Sequence, residues 1–178
     1  GKLERKEMSN GLVTEYKYNN LGYKIEEIKP GDEITEYSYD KAGNVKTIIN
    51  PRDINIKYEY NKNNHPSTIK YYNKDKSTIE DIINLTYDRV GNRIKISKEK
   101  ETGELTEIIR IFDPLNKVKA ETRTINGKSY TTSYQYDRYG NLTKVKYPGR
   151  EEWIKYNYNN LNQAYMEQGI SKKEIKII

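Results

Sequence analysis

One short phrase recurs along the chain, as "YSYDKAGN" at Tyr37–Asn44, "LTYDRVGN" at Leu85–Asn92 and "YQYDRYGN" at Tyr134–Asn141. Taking the aromatic before each turn as an anchor gives Tyr18, Tyr39, Tyr60, Tyr87, Phe112, Tyr136 and Tyr158, spaced by 21, 21, 27, 25, 24 and 22 residues. The next residue is Asn19, Asn61, Asn159, Asp40, Asp88, Asp113 or Asp137, never any other type. Four past the anchor stand Gly22, Gly43, Gly91, Gly140, Asn64, Asn116 and Asn162, again only two types. A tandem period of this length means a stack of small units, each too small to bury a core alone.

The two columns define a turn. Asp or Asn at the first position of a type I turn accepts hydrogen bonds from backbone N–H groups just ahead of it. The fourth position must then take a positive φ, which Gly reaches freely and Asn tolerates. Such a turn followed by a left-handed residue closes a bulged hairpin. By turn chemistry alone Gly43→Asn is nearly neutral, because the sequence itself makes that exchange.

The leading strands are as regular. Two before the anchor stand Tyr16, Tyr37, Tyr58, Leu85, Arg110, Tyr134 and Tyr156, and four before stand Thr14, Thr35, Ile56, Ile83, Ile108, Thr132 and Ile154. The intervening residues are mostly polar, so the alternation predicts a half-buried antiparallel strand. The fifth unit departs, with Ile109 and Ile111 out of phase and Arg110 in phase. A bulge and burial on both faces both remain open there. Second turn signals (Pro30-Gly31-Asp32, Asn50-Pro51-Arg52-Asp53, Asn126-Gly127, Pro148-Gly149, and more loosely Tyr72–Lys76 and Lys100–Glu104) give two strands per unit. The prediction is an all-β chain of about fourteen strands in tandem hairpins, a long twisted antiparallel meander. "KSTIEDIINL" from Lys76 opens on a stretch compatible with one helical turn but runs into a strand. Residues 1–178 read as a single array, with units over 14–168 and partial strands at 1–13 and 169–178.

Composition supports strands and removes several chemistries. Hydrophobic residues are only 34% of the chain, and 18 tyrosines stand against one Phe and one Trp. A core must therefore lean on Tyr and Ile, both strand formers. The absence of cysteine excludes disulfides and Cys-ligated metal. The net charge of +6 comes from 32 basic residues dispersed among 26 acids, as in Glu4-Arg5-Lys6-Glu7, which reads as a mixed solvated surface with no specific nucleic acid. No apolar run approaches the ~20 residues of a membrane span.

At "YDKAGN", "YDRVGN" and "YDRYGN" the chain resembles the YD repeats of the Rhs family, over about Thr14–Gln168. That family includes bacterial polymorphic toxins, wall-associated proteins, the B–C subunits of insecticidal toxin complexes, and teneurins. The resemblance implies hairpins laid edge to edge in a spiralling sheet that closes into a shell, around a toxin or as a surface module. It further implies a secreted or cell-surface location, the remaining repeats and a C-terminal toxin or effector domain of a longer parent chain as partners, and a cell-surface glycan as a ligand of such repeats. Seven units are fewer than such shells use. The family's D-P-x-G self-cleavage motif is not evident: "FDPLNK" at Phe112–Lys117 has Asn116 where that motif has Gly, and Asp113 falls in the turn column.

No catalytic, cofactor-binding or metal site is expected. His65 is the single histidine and adjoins a turn, where exposure is expected, so neither a triad nor a multi-histidine metal site can form. The recurring aspartates are replaced by Asn in three units, so the position does not need ionisation. The residues in play are structural: the anchor, Asp/Asn and Gly/Asn columns named above. The tyrosines Tyr37, Tyr58, Tyr134 and Tyr156 form a ladder that either packs across strands or offers a glycan face beside lysines. The functional expectation is a structural shell segment, with a carbohydrate-binding surface module as the alternative, and no enzyme. Unpaired strands near Leu3–Thr14 and Ile170–Ile178 predict self-association through edges.

Overall fold

The computed structural model describes residues 1–75, 77–159 and 163–168, with backbone alone for 165–168. Among these are fifteen strands: β1 (Arg5–Glu7), β2 (Val13–Tyr18), β3 (Lys24–Lys29), β4 (Glu33–Tyr39), β5 (Val45–Ile49), β6 (Asn55–Tyr60), β7 (Pro66–Tyr72), β8 (Ile79–Tyr87), β9 (Arg93–Lys100), β10 (Leu105–Phe112), β11 (Val118–Ile125), β12 (Lys128–Tyr136), β13 (Leu142–Lys146), β14 (Ile154–Tyr158) and β15 (Ala164–Gln168). No helix occurs among the described residues. Strand order follows chain order, and the pairings are antiparallel, as the alternating pattern required. Ser77 and Thr78 form a bend rather than a helical turn before β8, while Lys76 lies outside the described residues.

The chain divides into two compact units, Gly1–Leu85 with Lys98–Glu104, and Thr86–Ser97 with Leu105–Ile178. In the first, tyrosine and isoleucine line up across strands: Tyr37 pairs with Ile48, Ile48 with Ile56, and Ile56 with Tyr71. A second rung joins Tyr58, Ile69 and Ile83. The intervening residues are polar, and Lys17–Glu26 at 2.6 Å and Lys70–Glu59 at 2.5 Å pair opposite signs across strands. In the second unit Tyr134 pairs with Val145 and Val145 with Ile154. Such aromatic and β-branched cross-strand pairs are the stabilising element of a sheet.

The core is thin. Among the described residues Val145, 2% exposed, is the one buried hydrophobic, and Thr14 and Asn55 are the buried polar residues. Among the described residues neither unit has a helix or a second sheet to cover the tyrosine face, and its rings stay half-buried.

The fifth unit resolves what its sequence left open. Ile109 and Ile111 are 39% and 57% exposed, so β10 is not buried on both faces. The register of β10 against β11 shifts only between Ile111 and Phe112. The same shift precedes Tyr18, Tyr39, Tyr60 and Tyr136, so it belongs to the tip and is not peculiar to this unit. Arg110 sits in the tyrosine column, where its Nε donates to Glu121 at 2.8 Å, and Glu121 also receives Arg123. Partial burial pushes the Glu121 carboxyl up, but the two guanidiniums outweigh it and hold it below its ordinary value.

Candidate functional site

The recurring polar residues assemble at the hairpin tips. In six of the tips the Asp/Asn side-chain oxygen accepts two backbone N–H groups, two and four residues on. Asp40 Oδ1 takes Ala42 and Asn44 at 2.9 Å each, and Asn61 Oδ1 takes Asn63 and His65 at 2.9 and 3.0 Å. Asn19, Asp88, Asp113 and Asp137 do the same. Asn159 Oδ1 takes Gln163 N at 2.9 Å. A single oxygen does this capping, so an amide serves as well as a carboxylate. The turn closes when the fourth residue's N–H reaches the first residue's carbonyl, as Gly43 does to Asp40 at 3.1 Å and Asn64 to Asn61 at 3.0 Å. Gly22, Gly43, Gly91, Gly140, Asn64 and Asn116 all lie at positive φ, from 58° to 94°. Asn162 lies outside the described residues. Asn50 and Asp53 build the same loop at the opposite hairpin end, with Asp53 at φ 61°.

Four anchor hydroxyls reach back toward the previous unit. Tyr39 donates to the Lys24 carbonyl at 2.6 Å, Tyr60 to Val45 at 2.7 Å, Tyr136 to Val118 at 2.9 Å, and Tyr158 to Leu142 at 2.9 Å. Each acceptor lies six residues past the preceding anchor, so the phenol staples one hairpin to the last. Tyr18 makes the equivalent bond to Leu3 at 2.8 Å. Phe112 keeps the ring but has no hydroxyl to donate. Sequence reading recognised the aromatic column but had no signal for where the hydroxyls point. Burial pushes the Tyr39, Tyr60 and Tyr136 phenols up.

Turn chemistry alone made Gly43→Asn nearly neutral, and the structure corrects that. The Tyr23 hydroxyl occupies the place a Cβ on Gly43 would take. Moving Tyr23 aside would disturb its ring, which stacks on Tyr39 at 4.8 Å. The exchangeability of Asp and Asn is also narrower than the column implied. Asp40, Asp88 and Asp137 each use their second oxygen to accept the amide of Asn44, Asn92 or Asn141, five past the anchor.

The four tyrosines of the ladder, Tyr37, Tyr58, Tyr134 and Tyr156, are half-buried. Burial pushes the Tyr58, Tyr134 and Tyr156 phenols up. The Lys24 ammonium lies 4.5 Å from the Tyr37 ring while it also pairs with Glu27 at 2.5 Å. His65 is half-buried rather than exposed, its backbone N–H held by Asn61. An open groove in the second unit is lined by Thr86, Ile94, Ile109, Ile111, Asp88 and Asp113. Its two carboxylates are turn caps that already hold backbone N–H groups. No group of three acidic or histidine residues able to hold a metal occurs among the described residues.

A family model described as the teneurin YD-shell matches residues 2–166. Among solved structures, a TcdB2-TccC3-Cdc42 crystal structure aligns with TM-score 0.78 at 20% identity, covering 93% of this chain and 10% of the other. The Photorhabdus luminescens Tc holotoxin pore gives the same values. TcdB2-TccC3 without its hypervariable C-terminal region aligns with TM-score 0.75, again at 20% identity and over 93% of this chain and 10% of that one. The present chain thus spans about a tenth of the length of those chains. Against curated proteins there is no match.

Proposed function

The chain belongs to the teneurin YD-shell family, and from that premise we propose that it is a length of wall, in which residues 14–168 act as one tandem array of hairpins. The parent is a secreted or cell-surface protein whose remaining repeats continue the sheet and whose C-terminal toxin or effector domain lies behind it. One observation carries this reading. The polar residues that recur are consumed by turn capping in tip after tip, while the sheet buries one hydrophobic side chain among the described residues. A globular enzyme gathers perturbed groups into one asymmetric cleft; this chain spreads one modest arrangement along a rim. The segment therefore scaffolds and does not catalyse.

The test is proteolytic protection in the intact parent protein. G43V/G140V, which strains two tips, exposes the region beyond the repeats to protease, whereas D88N and D137N leave protection and biological activity in place. Unchanged protection in G43V/G140V, with the expected loss of stability, overturns the enclosing role. Loss of a hydrolytic or self-cleaving activity in D113N, with folding unchanged, overturns the non-catalytic role. The carbohydrate alternative predicts glycan-array binding that disappears in Y37A or Y134A with the fold intact.

A further inference from the structure

Adjacent tips touch through two alternative side-chain pairings. In the first, the residue five past one anchor is long and lies across the glycine four past the next anchor. Tyr23 covers Gly43, and Lys117 covers Gly140, each with its terminal polar atom where a Cβ would stand. Lys2 covers Gly22 in the same way and donates to its carbonyl. The covering side chain continues onto the next anchor ring: Tyr23 stacks on Tyr39, the Lys117 ammonium lies 5.5 Å from the Tyr136 centroid, and that of Lys2 lies 5.2 Å from Tyr18.

In the second pairing the residue five past the anchor is Asn, and the next tip carries Asn in place of Gly. Asn44 Nδ2 donates both to Asp40 Oδ2 at 3.1 Å and to Asn64 Oδ1 at 3.2 Å. Asn92 Nδ2 donates to Asp88 Oδ2 at 2.9 Å and to Asn116 Oδ1 at 2.9 Å. An amide nitrogen has two hydrogens, and the bridge uses both. A short Asn leaves room for the Cβ that a long side chain would displace, and Asn can hold the positive φ that the turn requires.

We propose that these pairs form a matching rule that decides which hairpin can lie beside which. A long side chain five past the anchor requires Gly four past the next anchor, and Asn selects Asn. The sequence columns keep to it throughout: Tyr23 precedes Gly43, Asn44 precedes Asn64, His65 precedes Gly91, Asn92 precedes Asn116, Lys117 precedes Gly140 and Asn141 precedes Asn162. Capping explains why this column is Gly or Asn, and the neighbour explains which. In a tandem array of near-identical hairpins the rule favours the correct neighbour and register, because a mismatched tip either loses its amide bridge or meets a Cβ.

Double-mutant cycles on the whole chain test this through urea midpoints. N44K in the first unit lowers the midpoint, because the lysine meets the Cβ of Asn64 and the Asp40–Asn44–Asn64 bridge is lost. In the N64G background the same change costs much less, so N44K/N64G recovers at least about half of the N44K shift. The reverse swap in the second unit, K117N/G140N, recovers likewise over G140N alone. Additive shifts in both cycles overturn the rule. Side-chain amide NMR supplies a readout that keeps the rule falsifiable if N44K fails to fold. The Asn92 Nδ2 protons shift and exchange faster in N116G, and unchanged resonances overturn the rule for the Asn pairs.

Discussion

At the scale of single residues, each repeated position meets more than one demand. Gly43 must hold φ 86° and also leave room for the Tyr23 hydroxyl. Gly43→Val therefore costs ~1–3 kcal/mol in urea unfolding, since a β-branched residue resists that backbone region. Gly43→Asn, which satisfies the backbone but not the space, is also destabilising. Phe112 keeps the anchor's ring without the staple, and Arg93 stands where the other units offer their acceptor carbonyl, six past Tyr87. Phe112→Tyr is expected to raise stability by ~0.5–1.5 kcal/mol, the net worth of one hydrogen bond, and Tyr60→Phe to lower it by a similar amount. Asp40 is held below the ordinary carboxylate range by the Asn44 amide first, then by backbone N–H groups. Its folded value is depressed, so its contribution is present above the unfolded value near 3.8 and is lost as pH falls through the folded value. The urea midpoint is expected to stay level from neutral pH to about 5 and to drop below about 4. A midpoint unchanged down to pH 2 would contradict a contribution from the ionised Asp40–Asn44 contact.

At the scale of the hairpin, the strand pattern and turn chemistry were legible because both are local. Tyr16, Tyr37 and Tyr58 alternate with polar residues, and a period of two has one structural meaning. Asp or Asn followed three residues later by Gly or Asn likewise describes one kind of turn. What did not show was whatever depends on a neighbour 15 to 24 residues away. The anchor hydroxyls and the Tyr23–Gly43 and Asn44–Asn64 pairings are contacts between units, and no window within a unit contains both partners. The signal was present as a correlation between columns, and only geometry gave it a cause. Arg110 was opaque for a related reason: its partner, Glu121, lies opposite it on β11, 2.8 Å away. Glu121→Ala is expected to cost ~1–3 kcal/mol by leaving a half-buried guanidinium short of its acceptor. Arg110→Tyr, which restores the column, offsets part of that loss in the double variant, as urea unfolding of the three variants would show.

At the scale of the whole molecule, the thin core sets the terms. Isolated hairpins are marginal in water, and tandem units are stabilised by their neighbours. With Val145 the one buried hydrophobic among the described residues, this chain depends on neighbour contacts more than on a centre. β1, from Arg5 to Glu7, stands first in the strand order with all three residues exposed. An exposed edge of this kind recruits other strands, so sedimentation at micromolar concentration is expected to show association of the separate chain. The far edge expected near Ile170–Ile178 lies outside the described residues. The central claim is that these hairpins are a stretch of continuous wall, and electron cryomicroscopy of the intact parent protein tests it most directly. The account predicts that β1 is hydrogen-bonded to the hairpin of a preceding repeat, with the anchor staples and tip pairings continuing across that junction. A structure in which the segment stands apart from the other repeats, with β1 unpaired on its outer side, would contradict it.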